Sequence, residues 1–308
     1  MPHTEFHLGE LQKRRAELLG SEGQAWIDAL PDLISDFESR WNIQVEKDLA
    51  GGTEALVLAA TTSDGLPVVL KLGQPGSLVQ EIRALEIAGG VGYAEMLASD
   101  QTADAILLER LGPKLVDGDQ SATEQLEIVV ETVQQTWFEV ADPMLLMTGT
   151  EKAHWHLNWL ETQWPALAEP CPRAVIEQGI RYSRSRKAAF DPATSRLVHG
   201  DSHAWNTLSV PDRSGVFKLV DPDGYFMEPA YDMGISMREW IDEYLAGDAV
   251  QLGRERVARL SRLTGIAETP IWEWGYVEVI STALVYSQLS EPELAAPYYD
   301  LAERWLNA

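Results

Sequence analysis

The hydrophobic pattern that opens the chain has helical spacing. One stripe of apolar residues follows residue 20 and must be buried against another part of the protein. Its members are Trp26, Ile27, Leu30, Leu33, Ile34, Phe37 and Trp41. Pro31 interrupts the stripe, and a proline inside a helix removes a backbone hydrogen-bond donor. The pattern therefore predicts two short helices that pack on the segment that follows.

After Trp41 the apolar residues recur with a period of two, which is typical of half-buried strands. The runs with this alternation lie at residues 55–60, 66–72, 94–99 and 103–111. Gly112 and Pro113 then break the pattern. These features predict a first lobe, residues 1–111, that is built on an antiparallel sheet and preceded by helices.

Helical spacing returns beyond residue 120, where prolines separate successive apolar stripes. The predicted helices span residues 123–138, 153–164, 175–189, 228–245, 250–263, 271–289 and 291–306. They predict a second, mainly helical lobe of residues 112–308. The expected fold class is α+β, with a sheet-based first lobe and a helical second lobe.

Acidic residues outnumber basic ones by 48 to 24, which gives a formal net charge of −24. Nucleic acids and anionic membranes would be repelled by such a surface, so neither is expected as a partner. A cationic ligand would be attracted, although acidity that serves only solubility explains the composition equally well. The single cysteine, Cys171, excludes an internal disulfide. No apolar run approaches the ~20 residues that span a bilayer, so we expect a cytoplasmic protein. We also expect it to be a monomer or weak dimer.

The stretch with the densest polar chemistry is Leu-Val-His-Gly-Asp-Ser-His-Ala-Trp-Asn-Thr-Leu, residues 197–208. Its apolar ends predict a hairpin that presents the residues between them as a loop. The carboxylate of Asp201 can orient a hydroxyl and accept its proton. The amide oxygen of Asn206 is a hard ligand suited to magnesium. Another short strand ends at Asp221, and two strands that meet at a turn would bring it beside Asn206.

The same residues permit a different metal centre. His199, Asp201, His203 and Asp221 have the spacing of ligands for a hydrolytic zinc or manganese ion. Such a site usually needs a further histidine or cysteine nearby, and the next histidines lie far upstream. We therefore favour the magnesium interpretation.

The order His199-Gly-Asp201, Asn206, Asp221 and Glu228-Pro-Ala-Tyr-Asp232 resembles the signature of the aminoglycoside phosphotransferase family, which has a protein-kinase-like fold. Phrases in the first lobe are similar to the streptomycin 6-kinase and hydroxyurea kinase branch of that family. The resemblance implies that Asp201 is the catalytic aspartate and that Asn206 and Asp221 bind Mg²⁺. It also implies that His199 braces the loop and that Asp232 fixes the loop backbone.

Lys71 lies among apolar residues of a predicted strand. A buried lysine is costly unless its ammonium reaches a partner. The resemblance supplies two partners, the nucleotide phosphates and a carboxylate on the next helix. We expect Glu81 to be that carboxylate, with Glu86 as the alternative, whereas a lysine on an exposed sheet edge would need neither.

Two further segments are candidates for binding ATP or GTP. Gly51, Gly52 and Thr53 form a turn whose backbone amides can approach an anion, although a plain hairpin turn explains them as well. By the resemblance, backbone groups from Glu109 to Leu111 pair with the nucleotide base.

The resemblance implies transfer of the γ-phosphate of ATP or GTP to a hydroxyl of an aminoglycoside-type antibiotic such as streptomycin, which confers resistance. A small cationic hydroxylated substrate would be aligned by Asp201 and held by carboxylates. Glu239, Asp242 and Glu243 are the candidates, although a solvated helix face explains them equally well.

Trp205 stands where the family often has a small residue, and it would narrow the acceptor pocket. The acceptor is therefore open to alternatives. It would be another small hydroxylated amine or a hydroxyurea-like molecule. A separate alternative, of a different class of function, is a nucleotide-binding pseudoenzyme that acts as an interaction module.

Overall fold

The computed structural model describes residues 6–49 and 54–307. The chain divides into two compact units, Met1–Gly112 and Pro113–Ala308. The candidate turn of Gly51, Gly52 and Thr53 lies outside the described residues. The helices of the described residues include none with the length and hydropathy of a transmembrane span.

The first unit is a sheet with flanking helices. Its helices are α1 (Glu10–Leu18), α2 (Ser21–Trp41) and α3 (Val79–Ala88). Its strands are β1 (Ile43–Asp48), β2 (Ala55–Thr62), β3 (Pro67–Gly73), β4 (Met96–Asp100) and β5 (Ala105–Glu109). Every pairing is antiparallel, in the order β1-β2-β3-β5-β4, so the sheet predicted from the alternating pattern is present.

The central strand β3 places apolar and charged side chains on different faces of the sheet. Val68, Leu70 and Leu72 are buried in a core that α2 completes. Because successive side chains along a strand point to opposite faces, Lys71 lies on the other face. Its side chain is nevertheless buried.

Helix α2 corrects one expectation. Pro31 was expected to divide the stripe into two helices, but a single helix runs from Ser21 to Trp41. Leu30, Ile34 and Phe37, on both sides of the proline, are buried in the same core. This shared burial outweighs the hydrogen bond that the proline removes.

The second unit is mainly helical, as predicted, with two small sheets. Its helices are α4 (Ala122–Gln134), α5 (Gly149–Ala166), α6 (Arg173–Ala188), α7 (Ala230–Met237), α8 (Ile241–Ala246), α9 (Ala249–Thr264), α10 (Glu268–Gln288) and α11 (Pro292–Arg304). Its strands are β6 (Met147–Thr148), β7 (Arg196–Val198), β8 (Thr207–Ser209), β9 (Phe217–Leu219) and β10 (Tyr225–Met227). The sheets have the orders β6-β10-β7 and β8-β9.

The helix predicted over residues 228–245 is wrong, because the chain breaks it into α7 and α8. Trp240, between them, has a left-handed backbone with a φ of 52°. Side chains satisfy carbonyls at the break: Tyr244 donates to the carbonyl of Met237 at 3.0 Å, and Arg256 donates to that of Glu239 at 2.6 Å. Arg238, the first residue after α7, contacts side chains outside that helix.

Candidate active site

The polar loop of residues 199–206 joins strands of different sheets. The hairpin predicted from its apolar ends is wrong, since β7 pairs with β10 and β8 pairs with β9. The β8-β9 pairing has the consequence that was expected from it. The backbone N–H of Val220 donates to the carbonyl of Asn206 at 2.9 Å, which places Asp221 next to Asn206.

Asp232, at the start of α7, holds the beginning of this loop. Its carboxylate accepts hydrogen bonds from the backbone N–H of His199 at 3.1 Å and of Gly200 at 2.8 Å. The indole N–H of Trp137 donates to it at 2.9 Å. Burial raises the pKa of Asp232 to about 6, and these three hydrogen bonds act in the opposite direction.

His199 is fixed as a neutral ring by the contacts of both nitrogens. Its Nδ1 accepts from the backbone N–H of Asp201 at 3.1 Å, and its Nε2 donates to the carbonyl of Val220 at 3.0 Å. Burial lowers its pKa to about 4, which keeps the ring uncharged. His199 thus joins the loop to the segment before Asp221.

Those contacts count against the alternative zinc or manganese centre. Neither nitrogen of His199 is available as a metal ligand without loss of a hydrogen bond. Among the described residues, no three His, Cys, Asp or Glu side chains are grouped so that they could hold a metal ion.

Gly200 turns the chain sharply into the loop. Its φ of 89° lies in the left-handed region, which glycine adopts without steric cost. A Cβ atom at this position would lie 2.7 Å from the Cβ of Asp223 and 2.8 Å from the ring of Tyr225. Any larger residue would displace both the loop and the segment that follows Asp221.

Asp201 is surrounded by donors, and its side chain is 31% exposed. His203 Nε2 lies 3.1 Å from Oδ2, Asn206 Nδ2 lies 3.2 Å from the same oxygen, and a guanidinium nitrogen of Arg238 bonds to Oδ1. Burial acts to raise the pKa of Asp201, but the charges of His203 and Arg238 outweigh it and hold the pKa below its ordinary value. Asp201 is therefore an ionised carboxylate that solvent can reach.

Asn206 and Asp221 form a donor set that suits Mg²⁺. The amide nitrogen of Asn206 donates to the backbone carbonyl of Asp201 at 3.0 Å, so its amide oxygen is the atom that a metal would bind. Asp221 has a φ of 61°, an uncommon backbone conformation for a residue with a side chain. Two hard oxygen ligands, with phosphate oxygens and water completing the shell, are typical of magnesium sites.

In the first unit the structure brings Lys71 and Glu81 together. The ammonium of Lys71 lies 2.5 Å from Oε2 of Glu81, and the two side chains are 6% and 5% exposed. The alternative partner, Glu86, pairs with Arg83 at 3.4 Å. Lys71 therefore lies in the sheet interior with Glu81 as its carboxylate, and the exposed-edge explanation is wrong.

The expected base-binding segment is only partly available. Glu109 ends β5, and its backbone N–H donates to the carbonyl of Glu95 at 2.9 Å. That N–H group cannot donate to a nucleotide base at the same time. Leu111, two residues on and half-buried, stays a candidate for that contact.

The residues expected to hold the acceptor have different surroundings. Glu239 adjoins Arg238, with 3.7 Å between Oε1 and Nε, and is 19% exposed. Glu243 pairs with Arg256 at 3.0 Å, while Asp242 is exposed on α8. Glu239 is therefore the acidic candidate that lies beside a partner of Asp201. The aromatic candidate, Trp205, is 54% exposed, and the ammonium of Lys114 lies 5.3 Å from its ring centre.

A cavity of about 570 Å³ in the second unit also involves Glu243. Its charged lining has more basic than acidic residues, namely Arg254, Arg256, Arg259 and Arg262 against Glu243 and Glu255. A cavity with this lining does not match a cationic acceptor, so Glu243 is the weakest of the three acidic candidates.

Sequence reasoning missed two groups of residues around Asp201 and Asp221. The first group is Arg238 and Glu278, which are joined by a hydrogen bond of 2.9 Å. In the second, the ammonium of Lys152 lies 2.9 Å from the hydroxyl of Tyr225, which donates to Asp223 at 2.6 Å. The sequence did contain a signal for the first group. Glu278 lies within an apolar stretch of α10, and a buried glutamate needs a partner.

Comparison with known proteins identifies the chain. A family model, "Aminoglycoside/hydroxyurea antibiotic resistance kinase", matches residues 40–287. The chain belongs to this family. The recognition made from the loop motif is therefore confirmed, and the protein is a kinase of the antibiotic-resistance type with an alcohol group as acceptor.

Relatives and a solved structure agree with this assignment. Streptomycin 6-kinase of Streptomyces glaucescens is 27% identical over 271 residues, which cover 87% of each chain. Hydroxyurea phosphotransferase of Kitasatospora aureofaciens is 27% identical over 272 residues, 82% of this chain and 76% of that protein. The structure of amicoumacin kinase with AMP-PNP, Ca²⁺ and Ami has a TM-score of 0.62 at 17% identity and covers 92% of this chain and 96% of that one. That likeness confirms the protein-kinase-like α+β fold.

Proposed function

We propose that this resistance kinase transfers the γ-phosphoryl group of ATP or GTP to a hydroxyl of an aminoglycoside-type antibiotic such as streptomycin, with Mg²⁺ as its metal. The observation that carries the proposal is the environment of Asp201. It is ionised and accessible, and it is bonded to Asn206, which adjoins Asp221. The kinship with streptomycin 6-kinases supports the choice of acceptor.

In this mechanism the acceptor hydroxyl donates its hydrogen bond to Asp201, which aligns the oxygen for attack and takes the proton. Asn206 and Asp221 would hold Mg²⁺ through their side-chain oxygens. The ion supplies charge neutralisation to the triphosphate. Lys71, oriented by Glu81, would contact the phosphates. Such positioning and charge compensation account for most catalysis of phosphoryl transfer.

Charge favours a cationic acceptor. The chain carries 48 acidic and 24 basic residues, so cations are attracted to it and polyanions are repelled. The guanidinium and ammonium groups of an aminoglycoside fit this field. Glu239, which lies 3.7 Å from Arg238, would contact such an acceptor at Asp201. We accordingly propose a small cationic hydroxylated substrate and no nucleic-acid or membrane partner.

A substrate panel tests the proposal. Purified protein is incubated with Mg²⁺ and either ATP or GTP, together with streptomycin, other aminoglycosides, hydroxyurea or simple amino alcohols. We expect streptomycin or another aminoglycoside to gain the mass of one phosphate, and the gain to disappear when EDTA removes the metal. Phosphorylation of hydroxyurea or an amino alcohol with no aminoglycoside product would contradict the proposed acceptor.

A further inference from the structure

We propose that Arg238 is a positioning residue for Asp201, and that it leaves Oδ1 of that carboxylate as the atom that meets the acceptor hydroxyl. The inference rests on the proposed role of Asp201. It adds this arginine and its glutamate partner on α10 to the residues that form the site. Arg238 lies at the end of α7, where the chain breaks before α8.

The hydrogen bonds of Asp201 decide which oxygen is available. Oδ2 accepts from His203 Nε2 at 3.1 Å and from Asn206 Nδ2 at 3.2 Å. A carboxylate oxygen has two lone pairs, so Oδ2 is filled. Oδ1 accepts from Arg238 alone among the described residues. One lone pair of Oδ1 therefore remains for the acceptor.

The guanidinium of Arg238 also binds a second carboxylate. One terminal nitrogen bonds to Asp201, and the other donates to Oε2 of Glu278 at 2.9 Å. Glu278 is 6% exposed, and its Oε1 accepts from the hydroxyl of Tyr231 at 2.5 Å. His156 Nε2 lies 3.1 Å from the same oxygen. The anchor therefore draws on α5, α7 and α10.

This arrangement needs an arginine. A planar guanidinium presents its two terminal nitrogens in fixed directions, so it bridges two carboxylates and sets the angle between them. The ammonium of a lysine is a point charge on a flexible stem and cannot keep both contacts at these positions. A change at residue 238 therefore moves the carboxylate of Asp201 without removing its charge.

In the reaction, the hydroxyl oxygen forms a bond to the γ-phosphorus as the bond from that phosphorus to the bridging β,γ oxygen breaks. The hydroxyl proton passes to Oδ1 of Asp201, and the nucleoside diphosphate leaves with the bonding electron pair. Misplacement of the carboxylate by about 1 Å is expected to slow such a step by about 10²-fold. Binding of the nucleotide depends on other residues, so its KM should not change.

The test compares Arg238→Lys, Arg238→Gln and Glu278→Gln with wild type. We expect kcat to fall by about 10²-fold in Arg238→Gln and at least tenfold in Arg238→Lys and Glu278→Gln, with the nucleotide KM within about twofold of wild type. Kinetics are measured for transfer to the acceptor that wild type phosphorylates and for the slow transfer to water, which needs no acceptor. If no acceptor in the panel reacts, the proposed function fails while the water reaction still tests Arg238.

Arg186→Gln is the matched control. Arg186 is another buried arginine of the second unit, 11% exposed, and it pairs with Glu228 and Glu273 rather than with Asp201. We expect it to lower the melting temperature about as much as Arg238→Gln while kcat stays within about threefold of wild type. Equal losses of kcat in the two variants, or a folded Arg238→Gln protein with kcat within threefold of wild type, would overturn the proposal.

A crystal structure with AMP-PNP, Mg²⁺ and the acceptor tests the choice of oxygen. We expect the reacting hydroxyl within hydrogen-bond distance of Oδ1. A hydroxyl bonded to Oδ2, with His203 or Asn206 displaced, would contradict it.

Discussion

Two carboxylates in this kinase are held by cations in contrasting ways. In the first unit, Glu81 meets Lys71 ten residues away along the chain, and both side chains are at most 6% exposed. In the second unit, Asp201 meets Arg238, which lies 37 residues away and is anchored on Glu278 of α10. Asp201 is 31% exposed.

The difference agrees with the role proposed for each carboxylate. Glu81 would only orient the ammonium of Lys71. A buried ion pair between a strand and the next helix is sufficient for that. In the proposed mechanism Asp201 meets the acceptor, which requires an exposed oxygen that still has a fixed direction. Contacts from several elements supply that direction, because a single surface ion pair would fix it poorly.

The largest expected effect comes from removal of the charge at Asp201. In Asp201→Asn the shape is kept but the side chain can no longer take a proton. We expect kcat for phosphoryl transfer to fall by about 10²–10⁴-fold with the fold intact, since that is the range for loss of a general base. Initial rates and circular dichroism measure the two quantities. A rate within tenfold of wild type would show that Asp201 is not the catalytic aspartate.

The buried pair of the first unit should respond in stability as well as in rate. Lys71→Met leaves the Glu81 carboxylate buried without the Lys71 ammonium, and loss of one member of a buried pair costs about 3–5 kcal/mol of unfolding free energy. The double variant Lys71→Met, Glu81→Leu should recover more than half of that loss in urea denaturation. Both variants should still be inactive. A single variant as stable as wild type would contradict the dry environment described for this pair.

His199 supplies a pH-dependent contribution to stability in the second unit. Burial lowers its pKa to about 4, from the ordinary value of 6.5. The folded state therefore binds fewer protons than the unfolded state between these values, so this contribution is full above pH 6.5 and is lost as the pH falls towards 4. The difference corresponds to about 3 kcal/mol.

His199→Gln keeps a donor for the carbonyl of Val220 but does not titrate. Denaturant titrations from pH 4 to pH 7 should show a shallower acid loss of stability in the variant. The comparison with wild type is essential because Asp232 has the opposite pH dependence. Burial raises the pKa of Asp232 to about 6, so its contribution to stability grows as the pH falls. Identical pH slopes for the two proteins would contradict a lowered pKa for His199 in the folded state.

The smallest effects are expected at the acceptor candidates. Glu239, beside Arg238, should contact a cationic acceptor, so Glu239→Gln should raise the acceptor KM by about tenfold, equivalent to about 1.4 kcal/mol. Asp242 is exposed on α8, and Asp242→Asn should change that KM by less than about twofold. Reversed sizes of the two effects would place the acceptor on the exposed face of α8.

The contrast between the two carboxylates also explains what could be predicted from the sequence. Lys71 and Glu81 were paired correctly because a buried lysine needs a partner and the family resemblance implies a carboxylate on the next helix. Clear periodicity then placed Glu81 on that helix. The loop residues were recognised by their order, and the β8-β9 pairing placed Asp221 beside Asn206 as expected. Their catalytic and metal-binding roles remain predictions.

The sequence did not reveal Arg238, the break before α8 or the pairing of β7 with β10. Each depends on contacts between segments far apart in the chain, such as Arg238 with Glu278 or Val198 with Tyr225. Periodicity also failed at Pro31, where burial on both sides kept α2 continuous. Local patterns describe elements, whereas tertiary packing decides where they bend and which distant side chains meet.

The central claim is that Asp201, Asn206 and Asp221 form one phosphoryl-transfer site, and the position of the metal tests it most directly. Crystals grown with AMP-PNP, the acceptor and Mn²⁺ in place of Mg²⁺ would locate the ion by anomalous scattering. The account predicts a peak about 2.0–2.2 Å from side-chain oxygens of Asn206 and Asp221, with the acceptor hydroxyl bonded to Asp201. A peak on His199 and His203, or an acceptor bound away from Asp201, would contradict it.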